Sequence, residues 1–67
     1  MAAIASGVSS SAFGTWAHAS AADSVALGSN SVADRVNTVS VGSVGNERQV
    51  TNVANATAAT DAVNLRQ

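Results

Sequence analysis

The residues of this chain that could do chemistry are few and scattered. His18 is its only histidine, cysteine and lysine are absent, and Asp23, Asp34, Glu47 and Asp61 stand against Arg35, Arg48 and Arg66. A serine nucleophile needs a base oriented by a third group, and no such motif surrounds any serine here. A metal cage needs several His, Cys or carboxylate ligands, which one histidine does not supply. Zinc, paired-carboxylate and phosphate-loop spacings do not appear. The sequence therefore assigns no catalytic, cofactor-binding or metal residue and points away from an enzyme. A formal net charge of −1 without a basic cluster also excludes a nucleic-acid or anionic-lipid footprint. What remains is recognition by surface, for which Trp16 is the candidate ligand contact, since aromatic residues are enriched where binding energy concentrates. The competing role for Trp16 is to cap the exposed end of a sheet.

The elements that position these residues follow from a repeat. Gly14, Gly28 and Gly42 are 14 positions apart, preceded by Ala12-Phe13, Ala26-Leu27 and Ser40-Val41. Ser10, Ser24 and Thr38 keep the same register, as do Ala5, Ala19 and Ala33. A period this short fits one coil of an all-β solenoid, two strands of about five residues joined by two tight turns of about two. Ser24 to Gly28 and Thr38 to Gly42 alternate small and larger side chains at period two, the strand signature. One face carries Ser10, Ala12, Ser24, Ala26, Thr38 and Ser40; the other carries Ser11, Phe13, Val25, Leu27, Val39 and Val41. A flattened roll with closely spaced sheets accommodates only Ala and Ser inside, so the Phe/Leu/Val stripe points outward. Such a stripe is an interface, here with identical chains. The second strand of each coil is expected near 3–5, 17–19 and 31–33. Gly14, Gly28 and Gly42 fall at turns, where positive φ or close backbone approach excludes a Cβ.

Chain size supports association. In 67 residues with Phe13 and Trp16 as the only aromatics, burial of methyl-sized groups poorly offsets an ordering cost of about 1.5 kcal/mol per residue. With no cysteine for disulfides, oligomerisation is the remaining support. No apolar run approaches the roughly 18 residues of a membrane-spanning helix.

The pattern changes after Ser43, giving two segments, 1–43 and 44–67. Gly45-Asn46 marks a turn, and Val50 to Val53 a brief strand-like alternation. From Ala54 the alanines favour helix, with Thr60-Asp61 as its N-cap and Ala58, Ala62 and Leu65 at the spacing of a coiled-coil seam.

These motifs resemble the trimeric autotransporter adhesins of Gram-negative bacteria, with a head of the YadA-like type. Ser24-Val25-Ala26-Leu27-Gly28-Ser29-Asn30-Ser31-Val32-Ala33 looks like one head repeat, and Asn37 to Ser43 like the last repeat. Glu47 to Ala54, with Thr60-Asp61-Ala62-Val63-Asn64, looks like the neck. The resemblance implies a left-handed parallel β-roll that trimerises, then a neck in which chains cross before a helical coiled-coil stalk. It also implies location at the bacterial cell surface, with outer-membrane anchoring through a C-terminal domain absent from this sequence. The family usually has glycine where Ala56 stands, and Asn55 beside it tolerates the left-handed conformation such a position needs.

The expected homotrimer contact comprises Phe13, Val25, Leu27, Val39, Val41, Arg48, Val50, Val53 and Leu65, with Arg48 and Glu47 in an inter-chain ion pair. Three copies of His18 would form a cluster only if that residue faced the trimer axis. Two functions fit: an adhesive head binding host extracellular-matrix protein or a cell-surface receptor, or a structural spacer within a surface fibre whose ligand binds elsewhere.

Overall fold

A computed structural model of the protein describes residues 2–67; Met1, the first residue of the expected head segment, lies outside them. The fold is all-β, with no helix among the described residues. Six strands, β1 (Ile4–Ala5), β2 (Ser11–Phe13), β3 (His18–Ala19), β4 (Val25–Leu27), β5 (Val32–Ala33) and β6 (Val39–Ser40), alternate between two three-stranded parallel sheets, β1-β3-β5 and β2-β4-β6. Every position paired between the six strands joins residues 14 apart, as in Ala5 with Ala19, Ala12 with Ala26 and Phe13 with Leu27. The strands hold two or three residues, fewer than the five expected.

The residues missing from the strands belong to longer turns. Ser9, Trp16, Asp23, Asn30 and Asn37 all have φ between 55° and 65°, so a left-handed residue recurs every seven positions and bends the chain from one sheet to the other. Asn and Asp tolerate this conformation because their short polar side chains can bond locally. The hydroxyls of Ser24 and Thr38 brace two of these bends, each donating to the carbonyl three residues earlier at 2.7 Å.

Between the sheets only the smallest side chains fit. Ala17, Ala19, Ala26 and Ala33 are buried with Ser24 and Ser31, and Ala12 packs against them. The buried Ser31 hydroxyl is satisfied by donating to Leu27 C=O at 2.6 Å, which removes the penalty an unpaired hydroxyl would carry.

Residues 44–67 depart from the sequence-based expectation. A bridge between Ser43 and Asn46 forms the expected turn at Gly45, where φ is 82°. The anticipated strand over Val50 to Val53 is interrupted by Asn52, whose φ is 61°; the left-handed residue of this segment is thus Asn52, not Asn55. The helix expected from Ala54 is replaced by single turns, closed by Asp61 N–H donating to Ala58 C=O and Gln67 N–H to Asn64 C=O. A short helix draws its stability from a packed apolar face, and in this chain Ala58, Ala62, Val63 and Leu65 are all exposed.

Side chains hold this segment instead. Asp61 accepts from the N–H groups of Thr57 (3.2 Å) and Ala58 (3.1 Å), capping the turn behind it rather than a helix ahead. These backbone bonds, Thr57 foremost, hold its carboxyl below the usual value of 3.8. Asn64 donates to Val53 C=O at 2.9 Å and to Asn55 Oδ1 at 2.7 Å.

Candidate interaction surfaces

Alternation on β2, β4 and β6 turns Ala12 and Ala26 inward and sends the larger residues out. Phe13 is 59% exposed, Val39 63% and Leu27 39%, while Val25 and Val41 are half-buried. One sheet thus presents a continuous outward apolar stripe whose rungs are fixed by main-chain pairing, Phe13 beside Leu27 and Val25 beside Val39. Ser11, paired with Val25, is the polar member of this face, whose content is otherwise apolar area. At its C-terminal end Val41 joins Val32, Val44 and Glu47 around an open hollow of about 310 Å³.

The opposite sheet has a different outer column. Ile4, His18 and Val32 pair rung to rung on β1, β3 and β5 and are exposed. His18 therefore lies on the sheet facing away from the stripe. No group of three metal-ligating side chains occurs among the described residues.

Trp16 occupies the left-handed position of the turn after β2, with φ 65° and more than half its surface exposed. Its counterpart one coil later is Asn30. A bulky residue in this region is strained. The sequence revealed Trp16 as a break in its column; the strained backbone emerges from the structure.

The turn glycines are required for two separate reasons. Gly14 and Gly28 have φ of 115° and 105°, and a Cβ on Gly14 would sit 2.7 Å from the Gly28 carbonyl carbon. Gly42 is not among the positive-φ residues; there a Cβ would overlap Asn46 C=O. Gly7, outside the glycine column, is equally restricted, because its Cβ would overlap Ala21 C=O. Its repeat partners Ala21 and Arg35 concealed this in the sequence.

Arg48 lies against its own roll. Its guanidinium donates to Ser29 C=O (2.6 Å), Ser31 Oγ (3.0 Å) and Val41 C=O (3.1 Å). Glu47 accepts from Gly45 N–H at 3.2 Å. Of the remaining residues expected at the contact, Val50 and Leu65 are exposed and Val53 is half-buried, all lining one hollow of about 420 Å³ with Val63.

Comparison with known proteins agrees with this geometry. The family model for the YadA head domain repeat matches twice, over residues 5–31 and 22–43, together more than half of the chain. No curated protein matches. Among solved structures, the C-terminal YadA-like domain of BPSL2063 from Burkholderia pseudomallei is similar at 34% identity and a TM-score of 0.90. The match covers 97% of this chain and 43% of that one, so the chain spans less than half the length of its structural relative. The repeated coils and the shared fold place the chain in the YadA-like head family of trimeric autotransporter adhesins.

Proposed function

We propose that this chain is the head and neck of a homotrimeric bacterial surface adhesin that attaches to host cells or extracellular matrix. The observation that carries this reading is the outward stripe of Phe13, Leu27 and Val39 on a roll whose interior accepts only Ala and Ser. A chain that small gains little from its own core, and contact with two copies of itself removes the stripe from water. YadA-like domains generally form homotrimers, which supports three chains in particular. In this arrangement Phe13, Val25, Leu27, Val39 and Val41 face the threefold axis of left-handed parallel rolls built from 14-residue coils. Residues 1–43 form the head, and residues 44–67 form the neck leading to a coiled-coil stalk. Val50, Val53 and Leu65 continue the contact, and Arg48 stands at its junction with the head beside Val41.

The outer faces then remain for ligand, with Trp16 a contact and threefold symmetry multiplying weak single-site binding. Membership of the family supports location at the cell surface, which this reading places at the outer membrane. No helix is long and apolar enough to cross a membrane among the described residues, and anchoring in this reading belongs to another part of the protein. Binding of the intact chain to immobilised collagen, fibronectin and laminin tests adhesion. Saturable binding reduced by Trp16→Ala is expected; no binding to matrix or to host cells would leave the chain a spacer that projects another head.

A further inference from the structure

We infer that Arg48 terminates the roll by substituting for the backbone of the coil that would come next. Within the roll, turn carbonyls are bonded by amides of the following coil: Thr15 C=O accepts from Asn30 N–H at 2.9 Å, and Phe13 C=O from Gly28 N–H at 2.7 Å. The repeat equivalent of Thr15 one coil on is Ser29, whose carbonyl accepts from Arg48 Nη2 at 2.6 Å. The equivalent of Phe13 two coils on is Val41, whose carbonyl accepts from Arg48 Nη1 at 3.1 Å. One guanidinium thus supplies two donors where the roll would otherwise supply peptide N–H groups.

The glycine turns show the same replacement by an independent measure. The space above Gly14 is closed by the next coil's backbone: a Cβ there would lie 2.7 Å from Gly28 C and 2.8 Å from Ser29 N. The space above Gly28 is closed by Arg48: a Cβ there would lie 2.8 Å from Cζ and 3.0 Å from both Nε and Nη1. A planar group covers each glycine, a peptide in the first case and a guanidinium in the second. Arginine suits the position because its rigid fork presents parallel donors in one plane, as a lysine ammonium cannot.

A break in the ladder creates the vacancy. Ile4 and His18 donate to the carbonyls of Ala17 and Ser31, 13 residues ahead, whereas Val32 donates to Gly42, only 10 ahead. The last coil closes three residues early, the chain turns away through Ser43 to Asn46, and the edge carbonyls of Ser29 and Val41 are left for a side chain. Sealing them withholds an open edge from stray strands, and pinning residue 48 fixes where the chain leaves the roll. This device acts within one chain, so it stands or falls separately from trimerisation.

The direct test is NMR of the guanidinium groups in the intact wild-type protein. All three arginines are exposed, but the bonded Arg48 should show resolved Nη–H signals with slow rotation about Nε–Cζ, while Arg35 and Arg66 show averaged ones; averaged Arg48 signals would overturn the inference. Substitution adds a second test. Arg48→Ala should melt at least about 5 °C lower, Arg48→Lys should fail to restore the loss, and millimolar methylguanidinium should restore part of it in the alanine variant only. An unchanged melting temperature in Arg48→Ala, or full function of lysine, would refute the role. If Arg48→Ala does not fold, the wild-type NMR result decides alone.

Discussion

The roll and the segment that follows it solve the same problem, pairing backbone polar groups, by opposite means. In the roll the pairing is main chain to main chain, repeated rung by rung between residues 14 apart. In residues 44–67 it is mostly side chain to main chain: Asp61 caps Thr57 and Ala58, Asn64 holds Val53, and Gln67 both accepts from Ala56 N–H (2.9 Å) and donates to its C=O (3.2 Å). A ladder tolerates many side chains provided the interior stays small and the turns can form. A side-chain clasp depends on particular residues. Substitutions in the roll should therefore act on the whole structure, and those in residues 44–67 locally.

Gly14→Ala should be the most damaging of the changes considered within a single chain. It adds a methyl 2.7 Å from Gly28 C at a φ of 115°, so strain and overpacking together cost about 3 kcal/mol. The expected fall in melting temperature exceeds about 10 °C, and a fall of only a degree or two would show that the rungs can slide apart. Trp16→Asn should act in the other direction, placing a tolerant residue at φ 65° and stabilising the roll by about 1 kcal/mol. A rise in melting temperature accompanied by weaker matrix binding would identify Trp16 as a strained ligand contact. Lower stability would mean instead that the indole is needed to cover the roll.

Asn64→Ala removes the bonds to Val53 and Asn55 and should cost about 1 kcal/mol. Its effect on hydrogen exchange should be confined to residues 44–67, with rungs such as Ala12 and Ala26 as protected as before. Loss of protection throughout would merge the two regions into one cooperative unit. The smallest expected effect is of acid on Asp61. Its folded pKa lies below 3.8, so its bonds to Thr57 and Ala58 are fully present above the unfolded value and are lost as pH falls through the folded one. The Thr57 and Ala58 amide signals should shift only below about pH 4, and Asp61→Asn should abolish the shift.

Much of the roll was legible because its rules are local and repeated. Ala and Ser at alternate positions announced a narrow interior, and the glycine column announced turns. The seven-residue spacing of left-handed residues was also written in Asp23, Asn30 and Asn37, but Ser9 and Trp16 occupy the same places and hid the column. Propensity misled for residues 44–67. Alanines that favour helix have no partner face within one chain, and Asp61, Asn64 and Gln67 satisfy the backbone in another way. The bonding of Arg48 was not legible, since an arginine reaching back to Ser29 leaves no periodic trace.

The central claim is that the stripe of Phe13, Leu27 and Val39 is a contact between copies of this chain, and its most direct test is the mass in solution. Sedimentation equilibrium at micromolar concentration should give three times the 6.6 kDa chain mass, with no folded monomer on dilution. Leu27→Asp, which would bury a charge from each chain without a partner, should abolish that species. A folded monomer in the wild type, or an unchanged mass in Leu27→Asp, would contradict the account.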